Sequence, residues 1–276
     1  MKKHLLLAVS ILTSALCLLA SYISFGQYTV LLDFDSTNGS KPNYSTLISD
    51  GTFLYGMTLN GGTNNVGVIF KIKPDGTGDT VLLNFSGTTN GSTPLGSLIS
   101  DGIFLYGMTN KGGTGTCTGG CGVIFKIKTD GTGFAKLLDF SNASNGAFPT
   151  GSLILDGNIL YGMTPGGGAN NFGTVFKIMT DGSGYSKLLD FAGSNGKWPY
   201  GSLISDGTFL YGMTYQGGTS GNYGILFKIM TDGTGYSKLH EFTGMPNGAL
   251  PHGSLFSDGI FLYGMTQTGG TNKKWA

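Results

Sequence analysis

The chain has 276 residues, of which 11% are charged, and a formal net charge of +1. The near-zero net charge indicates neither a nucleic-acid stripe nor an anionic-membrane patch, and all 16 basic residues are lysine, so bidentate arginine forks on phosphate or guanine are excluded. The 50 glycines would suit disorder, but the regular recurrence of Leu, Ile, Phe and Tyr opposes it and supplies a large core.

The chain opens with a basic start, Lys2, Lys3 and His4, followed by an apolar stretch from Leu5 to Ala20. That stretch is too short and one-sided for a membrane span. Ser24 and Gly26 place small residues three and one positions before Gln27. Residues 1–26 are therefore expected to be a signal peptide, with the mature chain secreted or at the cell surface. Lipidation at Cys17 is the alternative, disfavoured because Leu16 precedes it.

From Tyr55 onward, Tyr-Gly-Met-Thr occurs at Tyr55, Tyr106, Tyr161, Tyr211 and Tyr263, at intervals of 51, 55, 50 and 52 residues. A period near 50 signals stacked supersecondary units. Residues 27–276 are expected to form one repeat domain, with units near 43–86, 94–141, 149–192, 199–243 and 251–276. Within the fourth unit, Ser202-Leu203-Ile204 begins a β run, and Asp206-Gly207 signals a two-residue hairpin with both residues at positive φ. Phe209 to Thr214 is a second run, Ile225 to Ile229 a third and Tyr236 to Phe242 a fourth, with glycine-rich loops and Asp232-Gly233 between them. Four short antiparallel strands per unit match a propeller blade. No stretch after residue 26 keeps a helical period. Continuous apolar runs such as Val68-Ile69-Phe70 suit strands buried on both faces. The expected fold is an all-β propeller of four-stranded blades, about five repeats with the last incomplete. A parallel β-solenoid is the rival, but its coils are usually shorter.

Two features break the pattern. The second unit carries the enlarged loop from Asn110 to Cys121. Cys117 and Cys121, an even pair in a secreted chain, are expected to form a disulfide, with free thiols as the alternative. Two cysteines do not fill a tetrahedral metal site, so no metal is expected. The fifth unit stops after Tyr263 to Thr266 and Gly269-Gly270. Lys273, Lys274 and Trp275 are poor substitutes for its third strand, while Tyr28 to Phe34 resembles a lone fourth strand. The expectation is that the sequence is a fragment of a longer repeat chain, which a native mature mass matching residues 27–276 would refute.

The acidic residues are architectural in pattern. Asp50, Asp75, Asp101, Asp130, Asp156, Asp181, Asp206, Asp232 and Asp258 all precede glycine, where an aspartate bonds its own backbone. Asp33, Asp139, Asp190 and Glu241 share one place in the fourth strand. Equivalent acids do not specify an acid–base pair in differing environments. Asp75 to Asp79 only partly matches a calcium loop. Beyond the leader, His240 and His252 are the histidines, and no Gly-x-Ser-x-Gly elbow occurs. No cofactor is expected, nor nucleic acid, nor a membrane span after leader removal.

The motifs Gly-x-Val/Ile-Phe-Lys-Ile, Asp-Gly-Thr/Ser-Gly and Leu-Tyr-Gly-Met-Thr together resemble the GloVer tandem repeat of secreted bacterial proteins over nearly all of residues 28–270. The resemblance implies a secreted, propeller-like repeat protein without assigned biochemistry. In that family an anchoring or sorting segment often follows, and this sequence shows none. The aromatic residues are the candidate binding groups. Tyr and Met of Tyr-Gly-Met-Thr are expected to pack between blades. Tyr44, Tyr200 and His252, with Leu95 and Thr150, occupy one equivalent inter-blade place, and Phe148 and Trp198 lie nearby. At one end of a propeller such residues suit stacking on sugar rings or peptide. The expected function is a non-catalytic extracellular module that binds glycan or protein. An extracellular lyase or lactonase, or a structural spacer, are the alternatives.

Overall fold

A computed structural model describes residues 28–270. The expected signal peptide, and Lys273, Lys274 and Trp275, lie outside the described residues. Tyr28–Leu31 belongs to a separate unit, Met1–Leu31, and has no regular secondary structure; the repeats lie within the unit Leu32–Ala276.

The strands of the first repeat are β1 (Ile48–Ser49), β2 (Leu54–Thr58), β3 (Val68–Ile72) and β4 (Thr80–Asn84). The second has β5 (Ile99–Ser100), β6 (Phe104–Thr109), β7 (Val123–Lys128) and β8 (Ala135–Asp139). The third has β9 (Ile154–Asp156), β10 (Ile159–Thr164), β11 (Thr174–Met179) and β12 (Ser186–Asp190). The fourth has β13 (Ile204–Ser205), β14 (Phe209–Thr214), β15 (Ile225–Met230) and β16 (Ser237–Glu241). The fifth contributes β17 (Phe256–Ser257) and β18 (Leu262–Tyr263). Each of the first four repeats is an antiparallel meander with its strands in sequential order, and the fifth is a two-stranded sheet. This is the expected all-β architecture of propeller blades. The lone fourth strand expected over residues 28–34 is absent: the residues there have no regular secondary structure. Phe34 still packs edge-on against Phe70, with centroids 5.2 Å apart.

The core is built between repeats. Tyr55, Met57, Ile69 and Phe85 of the first repeat bury one face against Leu98, Leu105, Val123, Phe125 and Ile127 of the second. Tyr106, Met108, Ile124 and Phe140 do the same against Leu153, Leu160, Phe176 and Ile178, as do Tyr161, Met163, Val175 and Phe191 against Leu203, Leu210, Phe227 and Ile229. Tyr and Met thus pack between blades, as alternation on one strand face requires. Each junction carries an edge-to-face phenylalanine pair: Phe85 with Phe125 at 5.4 Å, Phe140 with Phe176 at 5.4 Å and Phe191 with Phe227 at 5.5 Å.

The glycine of Tyr-Gly-Met-Thr makes room for that pair. Gly162 sits opposite Phe176 in the β10–β11 ladder, and a Cβ there would lie 2.6 Å from the ring's Cζ. Gly107 has the same relation to Phe125. A second device is a bulge shared by the β3–β4, β7–β8, β11–β12 and β15–β16 pairs. The skipped residues include Leu82, Leu137 and Leu188, against which the Asp-Gly turn of the following repeat rests at Gly131, Gly182 and Gly233.

The turns keep the aspartates but alter their expected geometry. Asp206 is not at positive φ, while Gly207 is, at +90°. Asp206 precedes a Gly207–Thr208 turn closed by its N–H donating to the Phe209 carbonyl. Its carboxylate accepts the N–H groups of Thr208 and Phe209 and the Tyr211 hydroxyl at 2.7 Å. The side chain satisfies turn N–H groups, so left-handed backbone at the aspartate is unnecessary. Ser202 and Leu203, expected in the first strand, precede β13.

In the fourth strand, Asp139 accepts the Thr114 N–H at 3.0 Å and Asp190 the Ala169 N–H at 2.9 Å. Glu241 takes the Thr219 and Ser220 N–H groups and an ion pair from Lys238 at 2.8 Å. These acids tether the glycine-rich loops. Lys238, then the loop N–H groups, hold the Glu241 carboxyl down at about 2.

Two expectations follow. Gly162→Ala should destabilise the protein by about 1–3 kcal/mol through overpacking. Part of that loss should be recovered in a Phe176→Leu background, as a denaturation double-mutant cycle would measure. A depressed carboxyl contributes stability that is present above its unfolded value, near 4.3, and is lost as pH falls through its folded value. The Tm difference between the wild type and Glu241→Gln should therefore be present at pH 6 and should close by about pH 2.

Candidate functional site

The first strands of successive repeats converge on an axis, and the residues just before them line a cavity of about 680 Å³. Its wall is a Gly-Ser step repeated from one unit to the next. The Ser97 N–H donates to the Ser152 hydroxyl, Ser152 to Ser202 and Ser202 to Ser254, each at 2.8 Å. In the first repeat Thr46 takes the serine place, and its N–H donates to the Ser97 hydroxyl at 2.8 Å. The glycines allow this approach: a Cβ on Gly151 would lie 2.3 Å from the Gly201 carbonyl oxygen, and one on Gly201 would lie 2.3 Å from that of Gly253. Serines that read as strand starts in sequence thus join the repeats at the axis.

The residue before each Gly-Ser step, and Tyr44 before the equivalent Ser45-Thr46, also line the cavity: Tyr44, Leu95, Thr150, Tyr200 and His252. Thr150 donates its hydroxyl to the Tyr200 carbonyl at 2.8 Å. Tyr200 stacks on His252 with centroids 4.7 Å apart and planes 22° apart. Tyr215, the residue after the fourth Tyr-Gly-Met-Thr, stands edge-on to both, at 5.4 Å from Tyr200 and 5.8 Å from His252. Sequence reading missed Tyr215; its place directly after the repeated tetrapeptide was the available signal. Burial, then Tyr215, raises the Tyr200 hydroxyl above its ordinary value. Tyr44 is 75% exposed.

Phe148 and Trp198 do not line the cavity. Both precede proline and hold left-handed backbone, with φ of +59° and +57°. Each N–H donates to the preceding repeat, Phe148 to the Cys121 carbonyl and Trp198 to that of Phe172. The side chains follow: Phe148 packs against the cluster of Tyr106 and Cys121, and Trp198 meets Phe172 edge-on at 6.4 Å beneath the Lys197 ammonium. The left-handed step before proline separates these two from the residue after it.

The remaining sequence candidates sit elsewhere. Cys117 and Cys121 form the expected disulfide in the enlarged loop. His240 lies beside Phe242, with ring centroids 4.9 Å apart. Asp75, Asp130, Asp181 and Asp232 each bond the Thr or Ser two residues on, through both its N–H and its hydroxyl. Those bonds hold the carboxyls below their ordinary range. Among the described residues no group of three or more His, Cys, Asp or Glu is placed to hold a metal ion.

A sequence profile described as the Gloeobacter/Verrucomicrobia repeat matches residues 20–222 and, overlapping them, 105–275. The chain belongs to this repeat family. The overlapping matches of the Gloeobacter/Verrucomicrobia repeat accord with successive blades of one design. Among solved structures, a chain of a nidogen/laminin complex is similar with a TM-score of 0.51 and 15% identity, covering 79% of this chain and 69% of that one. The Niastella koreensis GH74 enzyme is similar with a TM-score of 0.50 and 19% identity, over 75% of this chain and 30% of the enzyme. At these identities the likeness is one of fold. No curated protein matches the chain in sequence.

Gly151→Ala should destabilise this Gloeobacter/Verrucomicrobia repeat protein more than Gly162→Ala does. The new Cβ meets the backbone of the next repeat rather than a ring edge, and paired urea denaturation curves would measure the difference.

Proposed function

We propose that the protein is a secreted, non-catalytic binding module that takes a glycan or peptide ligand into the axial cavity. The observation that carries this is a contrast between neighbouring positions of the repeat. The Gly-Ser step, the strand phenylalanine and the Tyr-Gly-Met-Thr segment recur with little change. The residue facing the cavity changes chemistry from unit to unit, as Tyr44, Leu95, Thr150, Tyr200 and His252. Packing dictates the first set and leaves the second free for recognition. A spacer would have no use for aromatic side chains gathered on one side of the axis. The cavity volume falls in the roughly 300–1,000 Å³ range of small-molecule sites. A binding rather than catalytic role is supported by Asp50, Asp206 and Glu241, which are spent on turn and loop N–H groups that hold their carboxyls below the ordinary range, where general acids need raised values. The basic start and apolar stretch of residues 2–20 support secretion.

Tyr200→Ala should weaken ligand binding at least tenfold while costing the fold no more than the lost Tyr200–His252 and Tyr200–Tyr215 contacts, about 0.5–1.5 kcal/mol each, because Tyr200 lines the cavity instead of joining an inter-repeat core cluster. Calorimetric titration against oligosaccharide and peptide panels, run beside denaturation of the same preparations, provides the check. Unchanged binding by the variant would remove the axial cavity from consideration.

A further inference from the structure

The chemistry of the axial wall narrows its ligand class, an inference that rests on the cavity being the binding site. Among the described residues, no Lys, Asp or Glu lines the cavity. An ion entering would leave water without a counter-charge, a costly exchange. Phosphorylated, sulfated and uronate ligands are therefore disfavoured.

What the wall does offer is two kinds of contact. The first is aromatic surface. The stacked Tyr200–His252 pair is braced edge-on by Tyr215. Tyr44 is exposed and makes no ring–ring contact with another aromatic among the described residues. Such surfaces take a flat apolar face. The second is a row of hydroxyls at repeat spacing. Ser152, Ser202 and Ser254 each accept an N–H from the preceding repeat, so one lone pair of each hydroxyl is already engaged. Their hydroxyl hydrogens, which no bond among the described residues uses, remain to donate to an acceptor in the cavity. The required ligand is uncharged, presents an apolar ring face, and carries several oxygen acceptors along its edge.

We propose that the axial cavity binds an uncharged oligosaccharide, one pyranose ring lying on the Tyr200–His252 side and its ring and hydroxyl oxygens accepting from the serine row. A wall without Lys, Asp or Glu should make the interaction insensitive to salt, unlike a charge-steered one. Tyr200→Phe keeps the ring and should keep binding; Tyr200→Ala and His252→Ala remove the platform. Trp198→Phe lies outside the cavity and should not matter.

The test is calorimetric titration of the full chain with hexasaccharides of glucose and of N-acetylglucosamine, with trigalacturonate as the charged counterpart and with a proline- and tyrosine-containing decapeptide, each at low salt and at 0.5 M NaCl. The expected result is binding of at least one neutral hexasaccharide, unchanged by salt, retained in Tyr200→Phe and Trp198→Phe and weakened at least tenfold in Tyr200→Ala and His252→Ala. Binding of trigalacturonate alone, or a salt-sensitive affinity, overturns the uncharged-ligand inference. Binding of the peptide alone, lost in Tyr200→Ala, overturns the saccharide and leaves the axial site standing. Absence of binding by every probe overturns both.

Discussion

A four-stranded sheet of this sequence cannot bury its own apolar faces. Its Tyr–Met face needs the Leu–Phe–Ile face of the next repeat, and the edge-to-face phenylalanine pair at each junction fixes how the two meet. Everything else in the molecule depends on that hand-over. The glycine within Tyr-Gly-Met-Thr leaves room for the ring of the third strand, whose edge lies where a Cβ would stand. The bulge in the fourth strand aims a leucine at the turn of the following repeat. Lysines of the third strand reach forward to the same turn: Lys126 donates to the Thr180 carbonyl at 2.9 Å, and Lys177 to that of Thr231 at 3.3 Å. Stability in such an array is mostly a sum over interfaces.

The same constraint builds the axial site as a by-product of assembly. Successive first strands must come close at the axis, so glycine is required there and the adjacent serine hydroxyl becomes the acceptor for the preceding repeat. Once those two positions are committed, the residue before them faces the central space and joins none of the inter-repeat core clusters. The fifth repeat shows the converse. Its described residues form two strands, and Tyr263 and Met265, the counterparts of deeply buried Tyr55 and Met57, are 49% and 77% exposed. Buried status at these positions is a property of the neighbour, not of the residue.

Much of this was legible in the chain. The recurrence of Tyr-Gly-Met-Thr marks the second strand of each repeat, and continuous runs such as Val-Ile-Phe mark strands covered on both faces. Tyr44, Tyr200 and His252 could be placed together because they occupy one register position, just before the Gly-Ser step or, in the first repeat, Ser45-Thr46. Phe148 and Trp198 were grouped with them on proximity in sequence. Whether two residues flanking a proline share a surface depends on the backbone between them, and a left-handed residue there sends the earlier side chain back toward the preceding repeat. Tyr215 had the opposite fate: some fifteen residues from Tyr200 in sequence, it is brought against it by the pairing of the two segments.

What the sequence determined by itself was periodic: strand content, the blade-like meander and aspartates as turn acceptors. Local hydrogen bonding and side-chain alternation decide these within a single repeat. The tertiary structure alone decided which glycines answer to crowding and which to left-handed backbone, where the bulge falls and which aromatic rings meet. Those depend on distances between atoms of different repeats, and a period in sequence carries no record of how far one repeat stands from the next.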